Sequence, residues 1–407
     1  MKIIVYEHIS GGGYAGQPIP SAVLCEGFGI LRTAVEDFKA AGHEVTVLLD
    51  VRLSKLNPPI IADCIIPIFY SKEPEKFLTN ISKINEALYI IAPEKGKTMQ
   101  SLVELSEKTE KTSLNCESVA IGKVADKAIL HERLRKNGFS TPKILLLNFK
   151  DKLIQVNQDI KRELNYPLVF KPVDGVGCGG LSIVREEGQI QKAIAKIKVG
   201  SKNTHFIAQE FINGESASVS LLSTGKKALA ISLNKQNITF ANLDEASSYN
   251  GGCVPFDHPQ KPQAFILTEK VVESFPGLRG YVGVDLVLTQ ESSFVVDVNP
   301  RLTTSYIGLR KVANFNIAEA LTNTVLKGKF PNKPENCGVA CFAKIETSKQ
   351  TVDVFQKAAK LSAIVSPPFP LNDSAKSCAL VLGEGDSLED AKLRLEEAKR
   401  RLYHIII

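Results

Sequence analysis

Residues 283–301, GVDLVLTQESSFVVDVNPR, decide how this chain is read. Two apolar runs, VDLVL and FVVDV, flank the polar stretch Thr289–Ser293, a pattern that predicts a β-hairpin with a loop of about three to five residues. With Asp285 paired opposite Asp297, both carboxylates fall on one face. Asn299 returns to that face because side chains along a strand alternate with a period of two. Two carboxylates and an amide oxygen at close quarters repel unless a cation or a shared proton lies between them. A few hard oxygen ligands, with room left for phosphate oxygens, suit Mg²⁺. A solvated hairpin face explains the same letters, so the choice rests on what lies upstream.

Three upstream pieces bear on it. In YPLVFKPVDGVGCGG (166–180), Lys171 closes an apolar strand, a poor place for a charge unless an anion meets it. Gly175, Gly177, Gly179 and Gly180 then free the backbone so that successive N–H groups can wrap phosphate oxygens, although most glycine loops are simply turns. Asp126–Lys127 stands near the start of an amphipathic segment, where a surface lysine is the ordinary reading. In IAQEFINGES (207–216), an apolar strand ends in Gln209–Glu210, followed by Phe211–Ile212 and Gly214–Glu215. Backbone amides leaving a strand beside two apolar side chains could read an adenine edge, and Glu215 could accept from ribose hydroxyls. A plain strand and turn explains that segment equally well.

Length and composition set the frame. A chain of 407 residues suggests two or three domains, and 44% apolar with 23% charged residues is ordinary for a protein with real cores. The net charge of +6 comes without a basic tract, so a nucleic-acid partner is not expected. The opening MKIIVYEHISGGG is too short and interrupted for a signal peptide or anchor, and no run is long enough to span a bilayer, so a cytoplasmic protein without a membrane partner is expected. The eight cysteines are scattered. Cys337 and Cys341 alone lie close, with no second pair or histidine beside them, which argues against zinc and for reduced thiols.

At the N-terminus, strand 2–6, a glycine-bearing loop Glu7–Gln17, helix 24–41 and further strands in 42–50, 64–69 and 89–93 predict a doubly wound parallel sheet. The loop lacks the G-x-G-x-x-G spacing of a dinucleotide site and reads better as a substrate loop at a strand's carboxyl end. Residues 117–140 are largely helical. The segment 141–222 carries five strands around one helix (189–198), which implies an antiparallel α+β layer. Strands at 227–233 and 236–241, a loop at Tyr249–Gly252 and a helix at 262–274 lead into the hairpin, and a helix at 317–326 follows it. A Pro- and Asn-rich joint at 331–336 opens a small C-terminal strand–helix cap, whose last helix has a stripe of Leu388, Ala391, Leu395, Ala398 and Leu402. The expected division is 1–115, 116–330 (lobes 116–208 and 209–330) and 331–407.

The order Asp126–Lys127, YPLVFKP with its glycine loop, QEFINGE, then Asp285 and Asp297–Val298–Asn299–Pro300–Arg301 resembles the ATP-grasp superfamily over roughly residues 115–330. That resemblance implies an N-terminal pre-ATP-grasp domain, two α+β subdomains gripping ATP, and an ATP-dependent ligase. By it, Lys127 and Lys171 contact phosphates, Gly175–Gly180 form a loop closing over them, Gln209, Glu210, Phe211 and Ile212 take adenine, and Glu215 takes ribose. Asp285, Asp297 and Asn299 would hold Mg²⁺ (or Mn²⁺). The family usually has Glu where Asp297 stands, which leaves the number of metals open, and often Glu where Gln209 stands. EHISGGG, GHEVTVLLDVR, IAPE, LNCESVAIGKVADK, YNGGCVPFDHP and DVNPRLTTSY look more closely like the archaeal tyramine–glutamate ligases of methanofuran synthesis. The implied chemistry joins a small-molecule carboxylate to an amine through an acyl phosphate; a ligase for another amino acid and amine pair (D-alanine ligase-like or carbamoyl-phosphate-like) and a non-catalytic ATP/ADP-binding module are the alternatives. Lys171 offsets phosphate charge, and Arg301 binds the carboxylate or the tetrahedral oxyanion; an arginine paired with a neighbouring acid is the alternative. Glu7, Ser10, Gly11, Gly12, Gly13, Tyr249, Asn250, Gly251, Gly252, Thr303, Thr304 and Ser305 are the expected acceptor pocket. Cys178 and Cys253 are expected bystanders. Which amine reacts, through which carboxylate, and whether the chain is a homodimer stay open.

Overall fold

The computed structural model of the chain describes residues 1–407 except 72, 82–83, 110, 176–178, 202, 241–242, 246 and 372–373. Among the described residues the strands form three sheets. The first is parallel, β1 (Lys2–Glu7), β2 (Glu44–Asp50), β3 (Cys64–Ile68), β4 (Ala87–Ile91) and β5 (Thr112–Ser113), in the order β3-β2-β1-β4-β5. Ile3 and Val5 pack with Phe28, Leu31 and Val35 of the helix Ser21–Ala40, while Ile4 and Tyr6 pack with Met99, Leu102 and Val103 of the helix Thr98–Glu107. The central strands β1 and β4 are covered on both faces, so they read as unbroken apolar runs.

The second sheet is antiparallel, β6 (Ile144–Asn148), β7 (Leu168–Pro172), β8 (Ser182–Val184) and β9 (His205–Glu210), in the order β6-β9-β7-β8. The single helix expected in this segment is joined by another, Leu153–Glu163. Its buried residues are Val156 and Ile160, a stripe too thin to stand out among its polar neighbours.

The third sheet contains β10 (Glu215–Thr224), β11 (Ala228–Thr239), β12 (Ser248–Val254), β13 (Arg279–Leu288), β14 (Ser293–Asn299), β15 (Val339–Ser348), β16 (Ile364–Ser366) and β17 (Lys376–Gly385). Its order is β14-β13-β10-β11-β12-β15-β17-β16. The two strands expected over 227–241 are one, β11. The loop expected at Tyr249–Gly252 is instead part of β12, between β11 and β15. The glycines there serve close packing. A Cβ on Gly251 would lie 2.1 Å from the Phe342 carbonyl oxygen, and one on Gly252 2.0 Å from that of Lys235.

β15 hydrogen-bonds onto β12, β17 onto β15 and β16 onto β17, so the cap continues the preceding sheet. The helix Leu388–Ile406 starts where Ser387 Oγ accepts from Asp390 N–H, 3.1 Å, and buries Ala391, Leu395, Ala398 and Leu402, while Leu388 is exposed. The expectation of reduced thiols fails for two cysteines. Cys253 and Cys341, 88 residues apart, are cross-strand neighbours on β12 and β15 with Cα atoms 4.1 Å apart, and they form a disulfide. No helix of the described residues is long and apolar enough to cross a membrane.

Candidate functional site

The hairpin pairs β13 with β14 in the expected register, Asp285 opposite Asp297, and Thr289 N–H to the Ser292 carbonyl, 2.8 Å, closes the turn. Beyond this pair the register shifts, Leu286 facing Val295, which leaves Val296 as a bulge beside the acidic pair. The Asn299 side-chain amide donates to Asp285 Oδ2 (3.0 Å) and that of Gln236 to Oδ1 (2.9 Å). Burial, and then the neighbouring Asp297 carboxylate, push the Asp285 carboxyl up to about 6.

Two lysines face this pair. Asp126 caps the helix Lys127–Lys136 by accepting from Ala128 N–H (2.9 Å) and Ile129 N–H (3.2 Å), which fixes Lys127 as its first residue. Lys127 Nζ is ion-paired with Asp297, and Lys127 N–H donates to the Val173 carbonyl (3.3 Å) at the start of the glycine loop. Lys171, on β7, is 6% exposed. Burial and then the Lys127 charge bring its ammonium down to about 7, against the opposing pull of Asp297 and Asp285. These four charges share one cleft between the second and third sheets.

From there the cleft runs to an apolar end lined by Val169, Leu181, Phe211, Ile212 and Phe240. Gln209 lies among them, 5% exposed, and its Oε1 is buried without a hydrogen-bond partner. Such an acceptor is costly unless a ligand N–H satisfies it. Glu210 turns away, its carboxylate accepting from Lys143 N–H (3.1 Å). Glu215 is exposed and paired with Lys235 (2.6 Å), while its neighbours Gly214 and Ser216 line the cleft. Gly175 and Gly179 line it, and Gly180 lies alongside with φ 75°. Gly177 and Cys178 lie outside the described residues.

Of the expected acceptor residues, Tyr249, Thr303, Thr304 and Ser305 reach the cleft. Asn250 is engaged with Thr239 Oγ1 (2.8 Å) and Ser248 Oγ (3.0 Å), and Gly251 and Gly252 are in the sheet. Glu7, Ser10, Gly11, Gly12 and Gly13 are not among the residues lining the cleft, although the Arg301 charge reaches the Glu7 carboxyl. The buried Glu7 carboxylate accepts from Ile9 N–H (2.9 Å), Ser10 N–H (2.7 Å) and Ser10 Oγ (2.6 Å), so it ties its own turn.

Arg301 lines the cleft and is already engaged. Its Nε and Nη2 donate to the two oxygens of the buried Glu94 (2.9 and 3.1 Å), and Nη1 donates to the Leu302 carbonyl (3.2 Å). A guanidinium has five N–H bonds, so two remain. Glu94, Gln236 and Glu26 are additions to the residues picked from sequence. Glu94 follows β4, where the carboxyl ends of an open sheet point to ligands; nothing in the sequence marks Gln236 or Glu26.

A divalent cation fits this donor set. Asp285, Asp297 and the Asn299 amide offer hard oxygens, and a cation between the two carboxylates would offset the Asp297 charge that, after burial, raises the Asp285 carboxyl. Among the described residues no group of three or more His, Cys, Asp or Glu could hold a metal, so the remaining ligands would come from substrate or water.

The model of the ATP-grasp domain matches residues 124–305, and that of the pre ATP-grasp 3 domain matches residues 43–121. The tyramine–L-glutamate ligase of Methanocaldococcus fervens is 32% identical over 248 residues, 60% of this chain and 69% of that protein. The biotin carboxylase domain of 2-oxoglutarate carboxylase from Hydrogenobacter thermophilus, in complex with MgADP, ADP and bicarbonate, superposes with a TM-score of 0.72 at 12% identity, covering 98% of this chain and 89% of that one. For the L-amino acid ligase from Bacillus licheniformis the TM-score is 0.67 at 12% identity, covering 98% of each chain. Those two share the fold. The chain belongs to the ATP-grasp family of ATP-dependent ligases.

Proposed function

We propose that the cleft binds ATP with a divalent cation and joins the carboxylate of glutamate to tyramine or a similar amine. The observation that carries this is the acidic pair Asp285–Asp297 facing Lys127 and Lys171 in a cleft whose far end presents an unpartnered Gln209 carbonyl. The identity to a tyramine–L-glutamate ligase supports the choice of substrates.

In this reading Gln209 Oε1 accepts from the adenine amino group, Phe211 and Ile212 flank the base, and the Glu215 segment meets the ribose. Asp285, Asp297 and Asn299 hold Mg²⁺ or Mn²⁺, which supplies charge neutralisation at the phosphate oxygens. Lys171 and Lys127 donate to those oxygens, and Lys127 exchanges Asp297 for phosphate when nucleotide enters. The glycine loop 175–180 excludes water, since an acyl phosphate hydrolyses. The substrate carboxylate oxygen attacks the γ-phosphorus, and the bond to the β-phosphate oxygen breaks, with ADP as leaving group. The acceptor, bound as its ammonium, first gives up one proton to solvent; the neutral amine nitrogen then attacks the acyl carbon, phosphate leaves with the C–O electron pair, and the nitrogen's remaining surplus proton passes to the departing phosphate. Arg301, oriented by Glu94, donates its remaining N–H groups to the carboxylate and then to the oxyanion, a role worth about 3–4 kcal/mol for one such donor.

Incubation with ATP, Mg²⁺, L-glutamate and a panel of amines, read by ADP release and by mass of the amide, tests the reading. ADP and a glutamyl amide formed together are expected. ADP from another carboxylate–amine pair would move the substrates within the same chemistry, and no ADP with any pair would overturn the ligase reading for this cleft.

A further inference from the structure

The geometry points to Glu26 as the docking group for the acceptor amine, a carboxylate that receives the substrate's primary ammonium at the end of the cleft away from the nucleobase. This rests on the ligase reading above and adds a residue that the family-resembling motifs do not contain.

Three carboxylates line the cleft, Asp285, Asp297 and Glu26. The first two belong to the hairpin and to Lys127. Glu26 comes from elsewhere, the first turns of the helix Ser21–Ala40, whose neighbouring residues Cys25 and Phe28 are buried in the core. Its side chain keeps 22% of its surface exposed. Oε2 accepts from Thr304 Oγ1 (2.9 Å), a residue of the segment 301–305 that also carries Arg301 into the cleft, whereas Gln209 reaches it from β9.

The other carboxylate oxygen, Oε1, accepts from Lys344 Nζ (2.7 Å) of β15. Lys344 is not among the cleft-lining residues, and its side chain is mostly buried. The Glu26 carboxylate in turn holds the Lys344 ammonium above its usual range despite burial, so the lysine stays charged and fixes the carboxylate's direction. An ionised carboxylate has about four acceptor sites, and two are filled here. The open ones suit the N–H groups of an ammonium, and a carboxylate pinned by Lys344 presents them without having to be reordered on binding.

The test compares Glu26→Gln with wild type using two nucleophiles. Hydroxylamine, largely uncharged at neutral pH, traps the acyl phosphate as a hydroxamate and has no ammonium to dock; tyramine does. With ATP, Mg²⁺ and L-glutamate, hydroxamate formation and the KM values for ATP and glutamate are expected to persist in the variant. The tyramine KM is expected to rise about ten- to a hundred-fold, the range for losing one hydrogen bond to a charged group. An unchanged tyramine KM, or an equal loss with both nucleophiles, overturns the assignment. Wild-type protein that makes no hydroxamate fails the ligase reading itself, a different result. Should the variant not fold, the wild type's own discrimination decides: tyrosol, the alcohol in place of the amine, is expected to bind at least about tenfold more weakly than tyramine, and equal binding overturns the proposal.

Discussion

Two glycine-bearing turns follow apolar strands in this protein, one after β1 and one after β7, and they have opposite characters. In the first, Ile9–Gly13, Glu7 accepts from two backbone N–H groups and a hydroxyl, while Tyr6, Ile68 and His8 fill the space where side chains at Gly11, Gly12 and Gly13 would stand. Three acceptor sites of the Glu7 carboxylate are used within the turn itself. Around the second, Lys171 is buried with its ammonium destabilised, Asp285 is held above the usual carboxylate range, and Gln209 Oε1 has no partner. Glycine marks both. Unspent valence marks only the second, because a buried group without a partner is tolerated where something else supplies one.

The comparison breaks most sharply at the acidic pair. Asp285→Asn or Asp297→Asn is expected to lower ADP formation by roughly two orders of magnitude or more, since metal-supported charge stabilisation is worth several kcal/mol. Full turnover in either variant would remove that residue from the proposed metal site.

The pH dependence of nucleotide binding sharpens it next. Asp285 must be ionised to hold a cation, so affinity falls as pH drops below about 6. Lys171 must be protonated to meet phosphate, so affinity falls as pH rises above about 7. Each limb approaches a tenfold loss per pH unit, roughly. Lys171→Met should erase the alkaline limb and leave the acid one; titration calorimetry across pH checks both, and a flat profile contradicts the arrangement.

Glu7→Ala probes the other turn. It strands two buried N–H groups at about 1–3 kcal/mol each, so the melting temperature should fall while kcat/KM below it holds. Lost turnover with an unchanged melting temperature would put Glu7 in the acceptor site. The smallest effect is expected at Gln209→Leu. Removing an unpaired buried acceptor should raise the melting temperature of the nucleotide-free protein while weakening ATP by about 1 kcal/mol; ATP affinity left intact would take Gln209 out of the adenine contact.

Much of this site was legible because its parts are local. A hairpin's register follows from the alternation of its own residues, so Asp285, Asp297 and Asn299 could be put on one face from nineteen letters. Lys171 betrayed itself as a charge inside an apolar strand. The N-terminal glycine loop was less legible for the same reason, since local sequence shows conformational freedom but not who fills the space. Tyr249–Gly252 did mislead. Two glycines between polar residues read as a loop, and only the strands on either side require them inside a sheet.

The acidic hairpin, the lysine before the glycine loop and the apolar central strands of the parallel sheet can be read from the letters alone. Each depends on neighbours a few residues away. Tertiary structure decided the pairings: Lys127 with Asp297 across 170 residues, Arg301 with Glu94 across 207, Lys344 with Glu26 across 318, and Cys253 with Cys341 across 88. Contacts between residues that far apart leave no period or spacing to read, because what joins them is the packing of sheets rather than the course of the chain.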